Sequence, residues 1–160
     1  MKKSIVTAGV AAIVLSFSVS AECRQRAAKQ QVSKAPVVEY QSASNPNART
    51  LSDFVRVGDI IYLSGKLGTG SDGKLVEGGI KAETKQTLEN IKALLEKNGS
   101  SIDNVVKCTV MLADIKEWAD MNSVYVTFFK KERLPARSAF GTSGLVNSAR
   151  VEIECMATMK

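Results

Sequence analysis

The chain has 160 residues, with 22 Lys and Arg against 16 Asp and Glu, a net charge of +6, and no histidine. That length suits one domain at ~100 to 200 residues each, and the missing histidine excludes a Ser-His-Asp triad, a histidine general base and any His-ligated metal. A composition 44% hydrophobic and 24% charged is that of an ordinary globular domain, so any chemistry falls to carboxylates, Arg, Lys, Ser, Thr, Tyr, Cys or backbone amides.

Lys2 and Lys3 precede an apolar run from Ile5 to Phe17 that ends in Val19-Ser20-Ala21. A basic start, an apolar middle and a small-residue end make a secretory signal peptide over residues 1–21. The run carries Thr7, Gly9, Ser16 and Ser18 and falls short of the roughly 18 apolar residues of a spanning helix. Export to the periplasm or the medium is therefore expected, with no membrane association after cleavage. Glu22 stands where a lipobox before Cys23 would want Gly or Ala. Removing the two leader lysines leaves 20 basic against 16 acidic residues, a net charge of +4. Residues 22–36 hold Arg24, Arg26, Lys29 and Lys34 among Gln, Ala and Ser, which reads as a flexible basic tail. With aromatics at 6% and no basic stripe interleaved with them, no nucleic-acid partner is expected.

The remainder, 37–160, reads as a single domain. Segments 37–43, 54–57 and 60–65 have strand character around Asn45-Pro46-Asn47 and the turn Gly58-Asp59, an antiparallel meander. Residues 68–74, Gly-Thr-Gly-Ser-Asp-Gly-Lys, match a P-loop in their glycines and lysine, but Leu75 stands where a Mg²⁺-binding hydroxyl belongs; a solvated hairpin is expected. Ile80, Thr84, Thr87, Leu88, Ile91, Leu94 and Leu95 fall at helical spacing and Asn98-Gly99 stops the helix. A strand is expected over 105–112, then a helix opened by Asp114 with a core face of Trp118, Met121, Tyr125, Phe128 and Phe129, its C-terminal dipole met by Lys130 and Lys131. Pro135 breaks the chain before two strands, 137–142 and 151–159. Two helix-linked strand pairs imply a sheet with both helices on one face. The other face stays open for self-association. Cys108 and Cys155, in apolar contexts, are expected to pack as small hydrophobes, bridged only where their strands adjoin.

Two segments stand out for chemistry. Arg137, fixed by Pro135 at a strand start, offers a planar fork for a carboxylate. In Val151-Glu152-Ile153-Glu154, alternation puts both glutamates on one strand face. With the strand end Ser64-Gly65 they would combine an anion clamp, backbone amides and a carboxylate able to position water.

Tyr62-Leu63-Ser64-Gly65, Leu88-Glu89-Asn90-Ile91, Asn104-Val105-Val106-Lys107, Met121-Asn122-Ser123-Val124-Tyr125, Pro135-Ala136-Arg137-Ser138 and Val151-Glu152-Ile153-Glu154 together resemble the YjgF/RidA reactive-intermediate deaminase family, from about residue 55 to 157. The resemblance implies a chorismate-mutase-like α+β subunit, a mixed sheet with two helices on one face, assembled as a homotrimer with sites between subunits. It implies that Arg137 clamps a substrate carboxylate and Glu152 positions the hydrolytic water. Ser64 and Gly65 line the pocket and Asn122 matches the family's helix asparagine. Ala139 stands where the characterised deaminases have Cys, and Leu51 where they have Tyr, so the pocket mouth is more apolar. The implied reaction is hydrolysis of a 2-imino acid to a 2-keto acid and ammonia, with neither cofactor nor metal. The alternative from another class is a non-catalytic binder of small carboxylates, or a chaperone-like trimer, that uses the same cleft. A ribonuclease, suggested by some family names, fits poorly with the absence of histidine.

Overall fold

The computed structural model describes residues 35–42 and 50–160; the expected signal peptide, nearly all of the basic tail and the turn at Asn45-Pro46-Asn47 lie outside them. Among the described residues the strands are β1 (Val38–Ser42), β2 (Ser52–Val57), β3 (Ile60–Leu63), β4 (Lys66–Leu67), β5 (Val105–Leu112), β6 (Ala136–Gly141) and β7 (Val151–Thr158), and the α-helices are α1 (Gly79–Lys97) and α2 (Trp118–Tyr125). They form one mixed sheet ordered β1-β2-β3-β7-β5-β6, with β4 also on β7. β1 to β3 are the expected antiparallel meander, whereas β5 and β6, joined through α2, run parallel.

Alternation sorts β7 into two faces. Val151, Ile153, Cys155 and Ala157 are buried under the helices, and Glu152, Glu154, Met156 and Thr158 point to the other side. α1 lays Leu88, Ile91 and Leu95, all fully buried, on that covered face, each contributing roughly 1.5 to 3 kcal/mol of burial. Its buried Thr84 and Thr87 satisfy their hydroxyls on the carbonyls of Ile80 and Glu83, at 2.6 and 2.8 Å. The helix start is held close to the sheet by Gly68, where a Cβ would lie 2.6 Å from the Glu83 carbonyl oxygen. Glu83 itself is buried and accepts from the Arg150 amide at 2.8 Å. At the far end Asn98 caps α1, its Nδ2 donating to the Leu94 carbonyl, and Gly99 takes a positive φ of 80°.

The open face carries an apolar row across four strands. Tyr40, Val55, Tyr62 and Met156 follow one another in register, and Val38, Val57 and Ile60 run beside them. Val38, Tyr40, Ile60, Tyr62 and Met156 are all exposed.

Three expectations need correction, and one alternative left open, the cysteine bridge, is decided. Asp114 first caps a 3₁₀ turn, Ile115–Glu117, so α2 starts at Trp118 and covers only 8 residues. Of its expected core face, Met121, Tyr125 and Phe129 are buried, but Trp118 remains 40% exposed. Lys130 does not serve a helix end: its Nζ pairs with Asp103 Oδ2 at 2.6 Å. Cys108 and Cys155 face each other in the β5–β7 register, Cα atoms 4.2 Å apart, and form a disulfide. Gly68 to Lys74 is the expected hairpin, its amides turned onto its own carbonyls (Gly70 N to Lys74 O, Gly73 N to Gly70 O) rather than outward as an anion cradle.

Candidate functional site

Glu152 and Gly65 come together on one side of the sheet. β4 pairs with β7 so that Leu67 lies opposite Glu152, and the bend just before β4 brings Gly65 under the carboxylate. A Cβ on Gly65 would collide with Glu152 Oε1 and sit 2.8 Å from its Cδ, so only glycine leaves this room. Ser64 anchors the bend, its Oγ donating to the Ser52 carbonyl at 2.6 Å and its amide to Asp53 O at 3.1 Å. That bond ties it to the start of β2, directly after the exposed Leu51. Glu152 is in none of the ion pairs among the described residues. Partial burial, with the neighbouring Glu154 charge as the second cause, raises its pKa above the ordinary carboxylate value.

Arg137 belongs to a different place. It lies opposite Cys108 in the β5–β6 register, so it shares the helix-covered face with the disulfide. Its guanidinium stacks 4.4 Å from the Tyr125 ring centroid and 5.6 Å from that of Trp118, which fixes its plane by cation–π attraction from both rings. Asn122 lies between the two aromatics on α2. Among the described residues, Arg137 Nη1, Tyr125 Oη and Asn122 Oδ1 are buried without a hydrogen-bond partner. Burial pushes the Tyr125 hydroxyl up to about 12 against the opposing pull of Arg137, so it is a neutral phenol at any working pH. Ala139, two residues beyond Arg137 on the same strand face, packs on the core.

The expected constellation is therefore not assembled within one chain. Glu152 is opposite Met111, and Met111 opposite Phe140, three positions along β6 from Arg137 and two strands away. At ~3.3 Å per residue and ~4.8 Å between strands the two Cα atoms are roughly 14 Å apart, with side chains on opposite faces. Of the expected site residues, Ser64, Gly65 and Glu152 group in one place, with Leu51 next to the Ser52 that holds Ser64, and Arg137, Ala139 and Asn122 belong to the other. What sequence reasoning missed is the aromatic sandwich. Trp118, Asn122 and Tyr125 at i, i+4 and i+7 share one helix face, and the spacing of a Trp one turn before that asparagine was the available signal.

A family model described as "Endoribonuclease L-PSP" matches residues 42–159. The chain belongs to the endoribonuclease L-PSP (YjgF/RidA) family. Among curated relatives of this family, the mouse protein named 2-iminobutanoate/2-iminopropanoate deaminase is 43% identical over 107 residues, covering 66% of this chain and 78% of its own. The human protein of the same name is 42% identical over 107 residues, covering 66% of this chain and 77% of its own. Among solved structures, yeast Mmf1 superposes with a TM-score of 0.71 at 33% identity, over 78% of this chain and 100% of its own. RidA from the Antarctic bacterium Psychrobacter sp. gives 0.67 at 35% identity, over 79% and 99%. Two helices on one face of a mixed sheet is the architecture these neighbours share.

Proposed function

We propose that this family member is an exported, cofactor-independent deaminase that hydrolyses 2-imino acids, or the enamines that tautomerise to them, at sites formed between copies of a homotrimer. The observation that carries the reading is the separation of a complementary pair: a carboxylate of raised pKa against a glycine, and a stacked arginine with an unpartnered Nη1. One copy offers each half on a different face, so a neighbouring copy completes the site. The exposed apolar row of Tyr40, Tyr62 and Met156 supports burial of the open face in such an assembly. Buried Cys108 and Cys155, joined as a disulfide, support work in an oxidising compartment.

In this mechanism the Arg137 guanidinium binds the substrate carboxylate, and the sandwich of Tyr125 and Trp118 holds the fork in place. The imine carbon is already electrophilic. Glu152 takes a proton from water as the oxygen bonds to that carbon and the C=N π electrons move to nitrogen. Glu152 then returns the proton to nitrogen to give a carbinolamine, and makes the same transfer a second time, from the new hydroxyl to nitrogen, as the C–N bond breaks and a 2-keto acid and ammonia leave. A proton acceptor of raised pKa suits both transfers near neutrality.

The test is ammonia release from freshly generated 2-iminopropanoate and 2-iminobutanoate by the chain starting at Glu22. Arg137→Ala should cost roughly 2 to 5 kcal/mol of transition-state stabilisation. Glu152→Gln should stop turnover yet leave carboxylate binding in place. A parent no faster than the uncatalysed reaction would transfer the protein to the carboxylate-binder class.

A further inference from the structure

Beyond the guanidinium, β6 carries an unused apolar surface. Arg137, Ala139 and Gly141 alternate onto the helix side of the strand. Gly141 confirms this facing, because a Cβ there would lie 3.1 Å from the Ile115 Cβ. The chain thus sets Trp118 over Arg137 at one end of the strand and Ile115 over Gly141 at the other, with the small Ala139 between. Trp118 is 40% exposed and Ile115 49% exposed, among the large apolar side chains left open on this chain. Neither is needed to close the core, whose buried cluster in this region is Met121, Tyr125 and Phe129.

We propose that Trp118, Ala139 and Ile115 form an apolar ledge that reads the side chain of the bound carboxylate, so that the protein prefers 2-imino acids with extended apolar side chains, of leucine, methionine or phenylalanine type, over the short alanine type. The proposal rests on Arg137 being the carboxylate clamp. A carboxylate on the guanidinium leaves the rest of the ligand at the start of a strand that runs from charge to apolar surface, and charge at one end with hydrocarbon beyond is the pattern of a long-chain 2-imino acid. Ala139 matters by its size: it keeps the floor of the ledge low between the two larger walls. A methyl side chain ends before the ledge; an isobutyl or benzyl group lies along it.

The experiment is calorimetric binding of two stable 2-keto acids, pyruvate and 4-methyl-2-oxopentanoate, to the full mature chain, with imine turnover measured separately. The longer ligand should bind about tenfold tighter, the worth of a few buried carbons. Ile115→Ala, a change at an exposed position, should reduce that ratio to about threefold, and Trp118→Ala should bring it close to one. Trp118→Phe, which keeps a ring over Arg137, should restore most of it. Pyruvate binding as tightly as the longer acid, a ratio unmoved by both alanine variants, or no binding of either acid would overturn the ledge. If the expected ranking holds and no imine is turned over, the deaminase reading falls and the ledge stands. If turnover favours 2-iminopropanoate, the ledge falls and the deaminase stands.

Discussion

Mixing two inactive variants tests the division of the site most directly. Arg137→Ala removes the proposed clamp and Glu152→Gln the proposed base, and the two residues lie on opposite faces roughly 14 Å apart in the sheet. Each variant alone assembles only defective sites, with a loss for Arg137→Ala of roughly 30- to 5,000-fold if ~2 to 5 kcal/mol is removed. When the two are denatured together in equal amounts and refolded, random assembly places an intact Arg137 beside an intact Glu152 of the neighbouring copy in about one quarter of the sites. Ammonia release from 2-iminobutanoate should then recover to about a quarter of the parent rate, far above either variant, while a mixture kept from exchanging copies stays inactive. A refolded mixture no better than its components, made from a parent that turns over, would refute the division of labour between copies.

Two glycines should separate function from stability. Gly65→Ala drives the new Cβ into the flexible end of Glu152, so turnover should fall on the order of 100-fold from the displaced carboxylate with little change in melting temperature. Gly68→Ala meets the Glu83 backbone instead and should destabilise by ~1 to 3 kcal/mol in urea melts. Because Glu152 has a raised pKa, from burial first and Glu154 second, the acid limb of kcat/KM should sit above the ordinary carboxylate range. Glu154→Gln removes the like charge and should move that limb to lower pH; an upward move would contradict the assignment. The same raised pKa means that Glu152 stabilises the fold when protonated, and that contribution is lost as pH rises through its folded value. Reducing the Cys108–Cys155 bridge, whose residues are 47 apart in sequence, should cost up to about 4 kcal/mol by loop entropy, read from urea midpoints with and without reductant.

Period and alternation carried much of the fold into view. α1 was legible because seven apolar or small residues repeat at helical spacing through one uninterrupted stretch, and β7 because Val151, Ile153, Cys155 and Ala157 alternate with polar neighbours. Phase between strands was not legible. Arg137 and Glu152 each announce a face of their own strand, but whether the two faces coincide depends on the register of β6 with β5 and of β5 with β7, which no local pattern encodes. The disulfide was hidden for the same reason, since it needs Cys108 and Cys155 to be direct partners. Trp118 was misplaced because helical spacing identifies a stripe without saying how far the sheet extends beneath it; at the edge strand β6 the stripe runs past the core and meets Arg137 instead.

The bridge between Cys108 and Cys155 makes a covalent ring of the intervening chain, and that ring contains α2, Arg137 and Glu152. Its most accessible stretch is the exposed run from Lys130 to Leu134, with Lys130, Lys131 and Arg133 side by side. A trypsin-like cut there opens the ring without releasing a piece. The nicked molecule keeps its mass until a reductant is added, and Arg137 and Glu152, now on the same side of the cut, stay covalently joined to the helix that stacks on the arginine through a single sulfur–sulfur bond.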